Sequence, residues 1–332
     1  MKISVQTRPR GIALFIVMIA IFVLSVMAAI FAASIKVETK LARNAEHEEQ
    51  LLWLGRSGVE YCRWVLSQER CPYDALNQIW AGGSGSECDT NLEVQNPVQV
   101  GDGAFSWKMV DLERYANINT APPQMIQQAL NSISTDMGAD SISVISDSIL
   151  DWISPGENPR LAGAKSDYYQ SLTPPYYCKD APMDDLSELR LVRGIRGHPE
   201  IYSGLTNFFT AISDGQVNIN TADKNVLQLL LMTAGMDVDT AGTTADAIIK
   251  QRDGPDGVPD TEDDTPFFNP GQLIQAGVPP PVIGQLGRMC ATRSTTFEVH
   301  IRAWIGDDHR DFVAILLRRS PTDIQVLSFY WE

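Results

Sequence analysis

The chain has 332 residues, of which 44% are hydrophobic, and a formal net charge of -15. This length allows one large or two ordinary domains, and the composition excludes a disordered chain. A surface this acidic repels phosphate backbones and argues against nucleic acid as a partner.

The N-terminus carries a long apolar segment. Residues 12–35 contain no charged side chain, and about 20 apolar residues in a helix span the ~30 Å hydrocarbon core of a bilayer. Lys2, Arg8 and Arg10 precede the segment, so the bulk of the chain is expected on the non-cytoplasmic side. A cleaved secretory signal peptide is the alternative, because small-residue triplets occur between Ala28 and Ser34.

The junction between the leader and the apolar segment is abrupt. The short basic leader ends in Gly11, and the apolar residues begin at Ile12. Leaders of this kind resemble those of prepilins, which are cut after the glycine on the cytoplasmic side and keep the apolar segment as an anchor. We therefore expect cleavage between Gly11 and Ile12.

The helical pattern continues beyond the apolar segment. Residues 36–69 contain no proline, and apolar or small residues recur there at steps of three and four: Leu51, Leu54, Gly58, Cys62 and Val65. One helix of about 55 residues is predicted, membrane-embedded first and packed on a globular domain later. Gly55 and Gly58 mark either a close packing contact or a break.

The rest of the chain changes from strands to helices and back. Residues 98–114 predict one or two strands, and three further strands are predicted near the C-terminus, at 295–306, 310–320 and 323–332. The fold class is therefore α+β, a long N-terminal helix on an antiparallel sheet with a large inserted helical domain. The predicted segments are a leader (1–11), a transmembrane helix (12–35), the rest of the long helix with a loop and first strands (36–114), the inserted domain (115–290) and the C-terminal strands (291–332).

The helical region contains an internal repeat. The sequence Asn-Ile-Asn-Thr-Ala occurs at 117–121 and again at 218–222, each time before a helical pattern. Each copy predicts a turn into a helix, with Thr120 and Thr221 as N-caps and Pro122 and Pro123 in the first turn.

These features together resemble the K-type minor pseudopilins of bacterial type II secretion (general secretion pathway protein K). The resemblance includes the leader ending at Gly11, both Asn-Ile-Asn-Thr-Ala segments, LDWISPGENPRLAGAKSDYYQSL from Leu150, and residues 182–195. It implies a pilin-like fold, cleavage by prepilin peptidase, methylation, an inner-membrane anchor and a periplasmic domain. It also implies assembly with other pseudopilins, and with the I- and J-type minor pseudopilins at the tip of a short periplasmic filament needed to export folded proteins across the outer membrane.

One position separates this chain from ordinary pilins. Ordinary pilins carry glutamate as the fifth residue of the mature chain, where this chain has Ile16. The K type is the member of the family that lacks this glutamate, so Ile16 supports the resemblance.

The resemblance also implies bound calcium. Oxygen ligands that suit calcium are concentrated in one Gly- and Pro-rich segment: Asp253, Asp256, Asp260, Glu262, Asp263 and Asp264. Their spacing is not that of an EF-hand, and a solvated acidic loop is the alternative interpretation.

The five cysteines form no Cys-x-x-Cys pair, which argues against zinc and thioredoxin-like sites. Outside the cytoplasm, disulfides are expected. We predict a Cys71–Cys88 disulfide in the loop-rich segment and, as a looser prediction, a Cys178–Cys290 disulfide, with Cys62 as the unpaired thiol.

Two other functions remain as alternatives. A membrane-anchored periplasmic hydrolase could use an acid pair drawn from Asp147, Asp151, Glu157 and Asp167 beside Tyr168 and Tyr169, although no Gly-x-Ser-x-Gly motif is present. The paired helical units could instead bind DNA backbones, which the acidic charge disfavours. A structural assembly subunit that is not an enzyme is the favoured interpretation.

Overall fold

The computed structural model describes residues 11–86, 93–133 and 138–332. Its first element, α1 (Gly11–Gln68), is one uninterrupted helix of 58 residues, which confirms the predicted long helix. Side chains from Ile12 to Ile35 are exposed, and burial against the rest of the chain begins at Leu51. Within the described residues, α1 is the one helix long and apolar enough to cross a membrane.

The second half of α1 packs on a five-stranded antiparallel sheet. The strand order is β1-β2-β7-β8-β9, so the first two strands are joined to the last three across a long insertion. The strands are β1 (Val98–Val100), β2 (Gly103–Asp111), β7 (Thr296–Ile305), β8 (Asp308–Ser320) and β9 (Asp323–Trp331).

The alternation in β7 determines which face of the sheet meets the helix. Phe297, Val299 and Ile301 are buried in the core, whereas Arg302 on the opposite face is exposed. This agrees with the period of two expected for a sheet with one buried face. Thr296 departs from this alternation, since the period of two would place it on the exposed face; it is buried, and its N–H donates to the buried Glu113 carboxyl at 2.9 Å.

Two glycines allow α1 to approach the sheet closely. A Cβ added to Gly55 would lie 2.6 Å from the Phe312 ring, and one added to Gly58 would lie 2.8 Å from Ile301 side-chain carbons. Neither separation is compatible with an unshifted side chain, so both glycines mark packing contacts rather than a helix break. The predicted apolar stripe of α1 is buried at all five positions: Leu51, Leu54, Gly58, Cys62 and Val65.

The insertion between β2 and β7 is a helical domain with its own hydrophobic core, whose buried members run from Ala116 to Cys290. Its α-helices are α2 (Pro123–Ile133), α3 (Ala139–Ile153), α4 (Ser166–Gln170), α5 (Pro199–Leu205), α6 (Lys224–Thr233), α7 (Val238–Arg252) and α8 (Pro280–Leu286). Short 3-10 helices occur at Ile79–Ala81, Leu112–Arg114, Leu186–Leu191 and Pro270–Ala276. Two-residue strands pair within the domain: β3 (Ala116–Asn117), β4 (Phe209–Thr210), β5 (Val217–Asn218) and β6 (Cys290–Ala291).

The sequence repeat corresponds to a structural repeat. β3 pairs in parallel with β4, and β5 pairs in parallel with β6, so each copy opens a helical unit that closes beside its own start. In both copies the second asparagine exchanges two hydrogen bonds with one distant residue. Asn119 does so with Met183 at 2.7 and 3.0 Å, and Asn220 with Phe267 at 2.8 and 2.9 Å.

The predicted N-caps are wrong in detail. The Thr120 hydroxyl donates backward to the Asn117 carbonyl at 3.4 Å, and the Thr221 hydroxyl donates to Asp111 Oδ2 at 2.5 Å. The backbone N–H groups of both threonines donate to the carbonyls three residues earlier, which matches the predicted turn into a helix, while Asp223 occupies the N-cap of α6.

Candidate assembly site

The outward face of α1 is the first candidate surface. Opposite the buried stripe, the helix exposes Trp53, Arg56, Glu60 and Trp64, and the two indoles are 62% and 41% exposed. Trp53 and Trp64 are 11 residues apart, which is close to three helical turns. Both side chains therefore lie on the same face of the helix, about 16 Å apart along its axis. Arg56 lies over the Trp53 ring at 5.1 Å. Aromatic and arginine side chains on one exposed face are typical of protein interfaces.

The apolar half of α1 extends this face toward the N-terminus. Gly11 is the first helical residue, and Ile12 and Ile16 are 60% and 59% exposed. Residues 1–10 of the predicted leader lie outside the described residues. The first buried position is Leu51, so the apolar segment and the polar segment up to His47 have no buried contact with the rest of the described chain.

The helical domain lies at the end of the sheet farthest from the apolar segment. His47 bonds to Asp308 at the β7–β8 turn at 2.6 Å, whereas Arg63, later in α1, donates to the Ile324 carbonyl beyond the β8–β9 turn at 3.0 Å. Asp111 ends β2 and pairs with Phe297 at the start of β7. The chain enters the helical domain after β2 and returns from it before β7. Both connections therefore lie at the end of the sheet that is nearest to the C-terminus of α1.

A buried polar junction joins the helical domain to this end of the sheet. Asp111 Oδ2 accepts hydrogen bonds from Thr221 Oγ1 at 2.5 Å, Ser294 Oγ at 2.6 Å and Asn218 Nδ2 at 3.2 Å. Asn218 and Thr221 belong to the second Asn-Ile-Asn-Thr-Ala copy, so the repeat contacts the end of β2 directly. Burial raises the pKa of the Asp111 carboxyl, and the hydroxyl donors oppose that rise.

Two further carboxylates complete the junction. Asp74 accepts from the Arg318 guanidinium and, at 2.7 Å, from the Ser294 N–H. Glu113 accepts from Thr296 N–H and Thr295 Oγ1, both at 2.9 Å. Burial, with the Asp111 charge nearby, raises the pKa of Glu113 to about 8. The buried Asp74–Arg318 ion pair thus supplies a charge-assisted bond, and Asp111 and Glu113 add buried hydrogen bonds that fix the domain.

The acidic loop lies after α7, in the second helical unit. Asp253 is buried and lies 3.5 Å from the Arg252 guanidinium. Asp263 accepts from the Asp256 N–H at 3.2 Å and the Thr261 hydroxyl at 2.7 Å, which lowers its pKa. Asp264 accepts from the Asp260 N–H at 3.0 Å. These carboxylates therefore cap backbone groups of their own loop.

The donor atoms of this loop fit calcium, since they are hard carboxylate oxygens. In this conformation, however, no group of three Asp, Glu, His or Cys among the described residues converges as metal ligands do. Burial raises the pKa of Asp260 and of Asp264. An ion would need these carboxylates to move closer together than they are in this conformation.

The four cysteines that the structure describes are one disulfide-bonded residue and three free thiols. Cys71 is disulfide-bonded, and Cys88, its predicted partner, lies outside the described residues. Cys62 is a free buried thiol, as predicted. The predicted Cys178–Cys290 disulfide is wrong, because both thiols are free: Cys178 lies in the first helical unit and Cys290 closes the second, on β6. Burial raises the thiol pKa to about 11 and about 12 respectively.

The carboxylates considered for catalysis have structural partners. Asp151 Oδ2 accepts from the Arg160 N–H at 3.0 Å, and Asp147 Oδ2 accepts from the Ala162 N–H at 3.1 Å. The buried Lys165 ammonium bonds at 2.6 Å to the carbonyls of Asp151 and Ser154, at the end of α3. These bonds order the loop after α3. Glu157 and Asp167 are exposed.

The sequence reasoning missed two parts of this arrangement. Trp53 and Trp64 could have been found from their spacing, since eleven residues return to the same helix face. The Asp74–Arg318 pair joins residues far apart in sequence, and no local pattern indicates it.

Comparison with known proteins agrees with this architecture. Residues 108–214 match the family model for type II secretion system protein K. Type II secretion system protein K of Pectobacterium carotovorum is 25% identical over 97% of this chain and 96% of its own length. The Pseudomonas aeruginosa protein of that name is 24% identical over 96% of this chain and 92% of its own. A putative protein K of Escherichia coli K12 is 26% identical over 64% of this chain and 65% of its own.

A solved structure shows the same fold. The chain is similar to one in the crystal structure of the GspK-GspI-GspJ complex from enterotoxigenic Escherichia coli, with a TM-score of 0.68 and 19% identity over 88% of this chain and 99% of that one. The family model matches the first part of the helical domain, and the relatives and the solved structure match most of the chain. Together they confirm the resemblance of this chain to the K-type minor pseudopilins of type II secretion.

Proposed function

We propose that this chain works as a minor pseudopilin at the tip of a type II secretion pseudopilus, and that the filament serves export of folded proteins across the outer membrane. The observation that carries the proposal is the position of the helical domain. It caps the end of the sheet opposite the apolar helix. A subunit stacked above would meet this domain before it reached the sheet.

Ile16 supports the same role. In a pilin stack, the glutamate at mature position five can pair with the N-terminal ammonium of the subunit above, and a charge in hydrocarbon is costly unless paired. Ile16 offers no carboxylate, so this chain lacks that bond to a subunit beyond it. Its own N-terminal amine can still pair with the glutamate of a subunit below. The chain therefore suits one end of the filament.

The membrane arrangement belongs to the same proposal. Prepilin peptidase would cut after Gly11, the apolar part of α1 would anchor the mature chain in the inner membrane, and the folded part would lie in the periplasm. The leader charge and the exposed apolar helix support this arrangement. The buried carboxylates serve as caps and junctions, which supports a role without catalysis.

The proposed partners are the I- and J-type minor pseudopilins, because the similar chain of known structure crystallised with proteins of those types. The outward face of α1, with Trp53 and Trp64, supplies a surface for them. The test is co-purification of the tagged full chain with both partners from membranes. Trp53→Ser with Trp64→Ser should weaken capture, while Lys108→Ser on the outer sheet face should not. Full capture by the double variant would exclude this face as the interface.

We further propose that the Asp253–Asp264 loop binds calcium as a structural ion. The six carboxylates of the segment support this, since their mutual repulsion favours a cation. The ion would use the exposed Asp256 and Asp263 and the half-buried Asp264, while Asp253 stays beside Arg252. The ion would fix the loop and have no part in chemistry.

A further inference from the structure

Three arginines recur at every third position on the surface of the first helical unit: Arg190, Arg193 and Arg196. The chain makes successive turns there, in which the N–H groups of Val192 and Ile195 donate to carbonyls three residues earlier. The inward side chains of these turns are buried: Leu189, Val192 and Ile195. The arginines occupy the position after each buried residue, so they share one outward row, called here the arginine ridge.

Glycines fix the shape of the ridge. Gly194 and Gly197 follow the second and third arginines and have φ values of 86° and 84°. A residue with positive φ at the third position is the requirement of a type II turn, which glycine meets without strain. Because the ends of each such turn lie less than about 7 Å apart, the arginines recur at about that step.

Each guanidinium is held over a tyrosine ring. Arg190 lies 4.2 Å from the Tyr202 ring centre, Arg193 lies 4.8 Å from that of Tyr168, and Arg196 lies 5.7 Å from that of Tyr176. Two of the three also donate to a carbonyl, Arg193 to Gly163 at 3.1 Å and Arg196 to Thr173 at 3.0 Å. Stacking of this kind orients the guanidinium and reduces the entropy lost on binding.

The described residues supply the ridge with no ion-pair partner. Among the described parts of the chain, no carboxylate oxygen lies within the 4.0 Å ion-pair distance of Arg190, Arg193 or Arg196. The lysines of the same unit differ, since Lys165 and Lys179 each lie 2.6 Å from a carboxylate. Three like charges at this spacing repel one another. Most of their N–H donors remain available to a ligand with the opposite charge.

Apolar side chains flank the ridge. Leu191 is 44% exposed between two of the arginines, and Tyr177, next to the ring beneath Arg196, is 74% exposed. Leu161, two residues before the carbonyl that Arg193 contacts, is fully exposed. Arginine, tyrosine and exposed leucine together suit a polypeptide, which offers both carboxylates and apolar contacts.

We propose that the arginine ridge binds an extended acidic segment of another polypeptide, with carboxylates at alternate positions. Alternate side chains of an extended strand lie about 6.6–6.8 Å apart on one face, close to the step of the ridge. A long polyphosphate fits less well, because it would run on over the surface of a protein with net charge -15. An anionic membrane fits less well, because the domain stands at the far end of the sheet from the apolar helix.

The test uses the full-length chain in non-ionic detergent and a fluorescein-labelled peptide of alternating Glu and Ser, followed by fluorescence anisotropy. We expect binding that weakens as salt rises. Arg190→Gln, Arg193→Gln and Arg196→Gln together should raise Kd about tenfold or more. The matched control changes three exposed arginines elsewhere, Arg288→Gln, Arg293→Gln and Arg319→Gln, and should leave Kd within about twofold.

Thermal unfolding checks that both triple variants are folded. If the ridge triple does not fold, Arg190→Gln alone replaces it, since among the described residues this guanidinium stacks on the Tyr202 ring and makes no side-chain hydrogen bond or ion pair. This variant should raise Kd about threefold. Equal loss in ridge and control triples, or no binding of the peptide, would overturn the proposal. Tighter ridge-dependent binding of a single-stranded oligonucleotide or of anionic vesicles than of the peptide would overturn it as well.

Discussion

Gly58 of α1 lies against Ile301 of β7 so closely that an added Cβ would stand 2.8 Å from two carbons of the isoleucine. The backbone of α1 therefore packs directly on the Ile301 side chain of the sheet. Gly55 and Phe312 make the same kind of contact one turn earlier, at 2.6 Å. The close packing of the long helix on the sheet depends on these two glycines. The outward position of Trp53 and Trp64 depends in turn on that packing.

Gly58→Val should destabilise the folded part by about 1–3 kcal/mol, the usual range for overpacking a core. Thermal or denaturant unfolding of the full chain in detergent measures the change. Ser57→Val is the matched control, since Ser57 is exposed on the next position of the same helix and should change stability by at most about 0.5 kcal/mol. Equal stability of wild type and Gly58→Val would show that the helix is not tightly seated.

Processing predicts a defined mature N-terminus. Mass spectrometry of the membrane-bound chain should find Ile12 first, and Gly11→Phe should leave the full-length precursor. Arg10→Lys retains the leader charge and should be processed normally. An N-terminus near or beyond Ala33 in the wild type would instead establish an ordinary signal peptide.

If this subunit caps the pseudopilus, each filament should carry one copy of it, at one end. Labelled wild-type chain should be found at tips, and Ile16→Glu should allow subunits to follow it, since the new carboxylate can pair with the amine above. Placing that carboxylate in hydrocarbon without a partner costs at least about 2.5 kcal/mol on insertion scales. Val17→Glu, one position along the exposed helix, serves as control and should not extend filaments. Wild-type chain distributed along filaments contradicts capping.

Calcium should raise the melting temperature by binding the folded state. An ion at about 100 times its Kd adds about 2.7 kcal/mol, equivalent to several degrees. Asp256→Asn with Asp263→Asn should reduce that gain, whereas Asp102→Asn with Asp307→Asn, two exposed residues outside the loop, should not. No calcium-dependent shift, with no metal retained on purification, would rule the ion out.

The buried junction predicts a dependence of stability on pH. The pKa of Glu113 is raised to about 8 in the folded chain by burial and the neighbouring Asp111 charge. In the unfolded chain it is about 4.3. Between these values the folded state holds the proton more tightly, so the free energy of unfolding should fall as pH rises from about 5 to 8. The slope approaches about 1.4 kcal/mol per pH unit.

Denaturant titrations at several pH values measure this slope. Glu113→Gln cannot titrate at this position and should reduce the slope, leaving the part contributed by Asp111, whose pKa burial also raises. Glu157→Gln, at an exposed glutamate, should leave the slope unchanged. A slope as steep in Glu113→Gln as in the wild type would assign the pH dependence to another group.

The elements built from local patterns could be predicted from the sequence. The apolar stripe from Leu51 to Val65 and the alternation from Phe297 to Ala303 set the helix and strand faces directly, because each period is a property of the backbone. The inserted domain followed from the helical patterns that lie between the early and the late predicted strands, and the Asn-Ile-Asn-Thr-Ala repeat indicated its two units. Long-range partners could not be predicted, since nothing near Asp74 indicates Arg318 and nothing near Asn119 indicates Met183.

The candidate site divides in the same way. Ile16 and Gly11 lie in a linear pattern and could be read from the sequence. The acidic loop could be located, but the sequence cannot tell that Asp263 and Asp264 accept backbone N–H groups while Asp253 lies beside Arg252. Cys178 and Cys290 were paired by count alone, and separate helical units keep them apart.

The two parallel strand pairs have a consequence for how such an insertion could arise. Each helical unit begins and ends at neighbouring strands, Ala116 beside Phe209 and Val217 beside Cys290. A unit of this kind can be added to or removed from a chain with little disturbance of the sequence on either side. The domain therefore has the organisation of two tandem modules, of which the one nearer β7 contacts the end of β2 through Asn218 and Thr221.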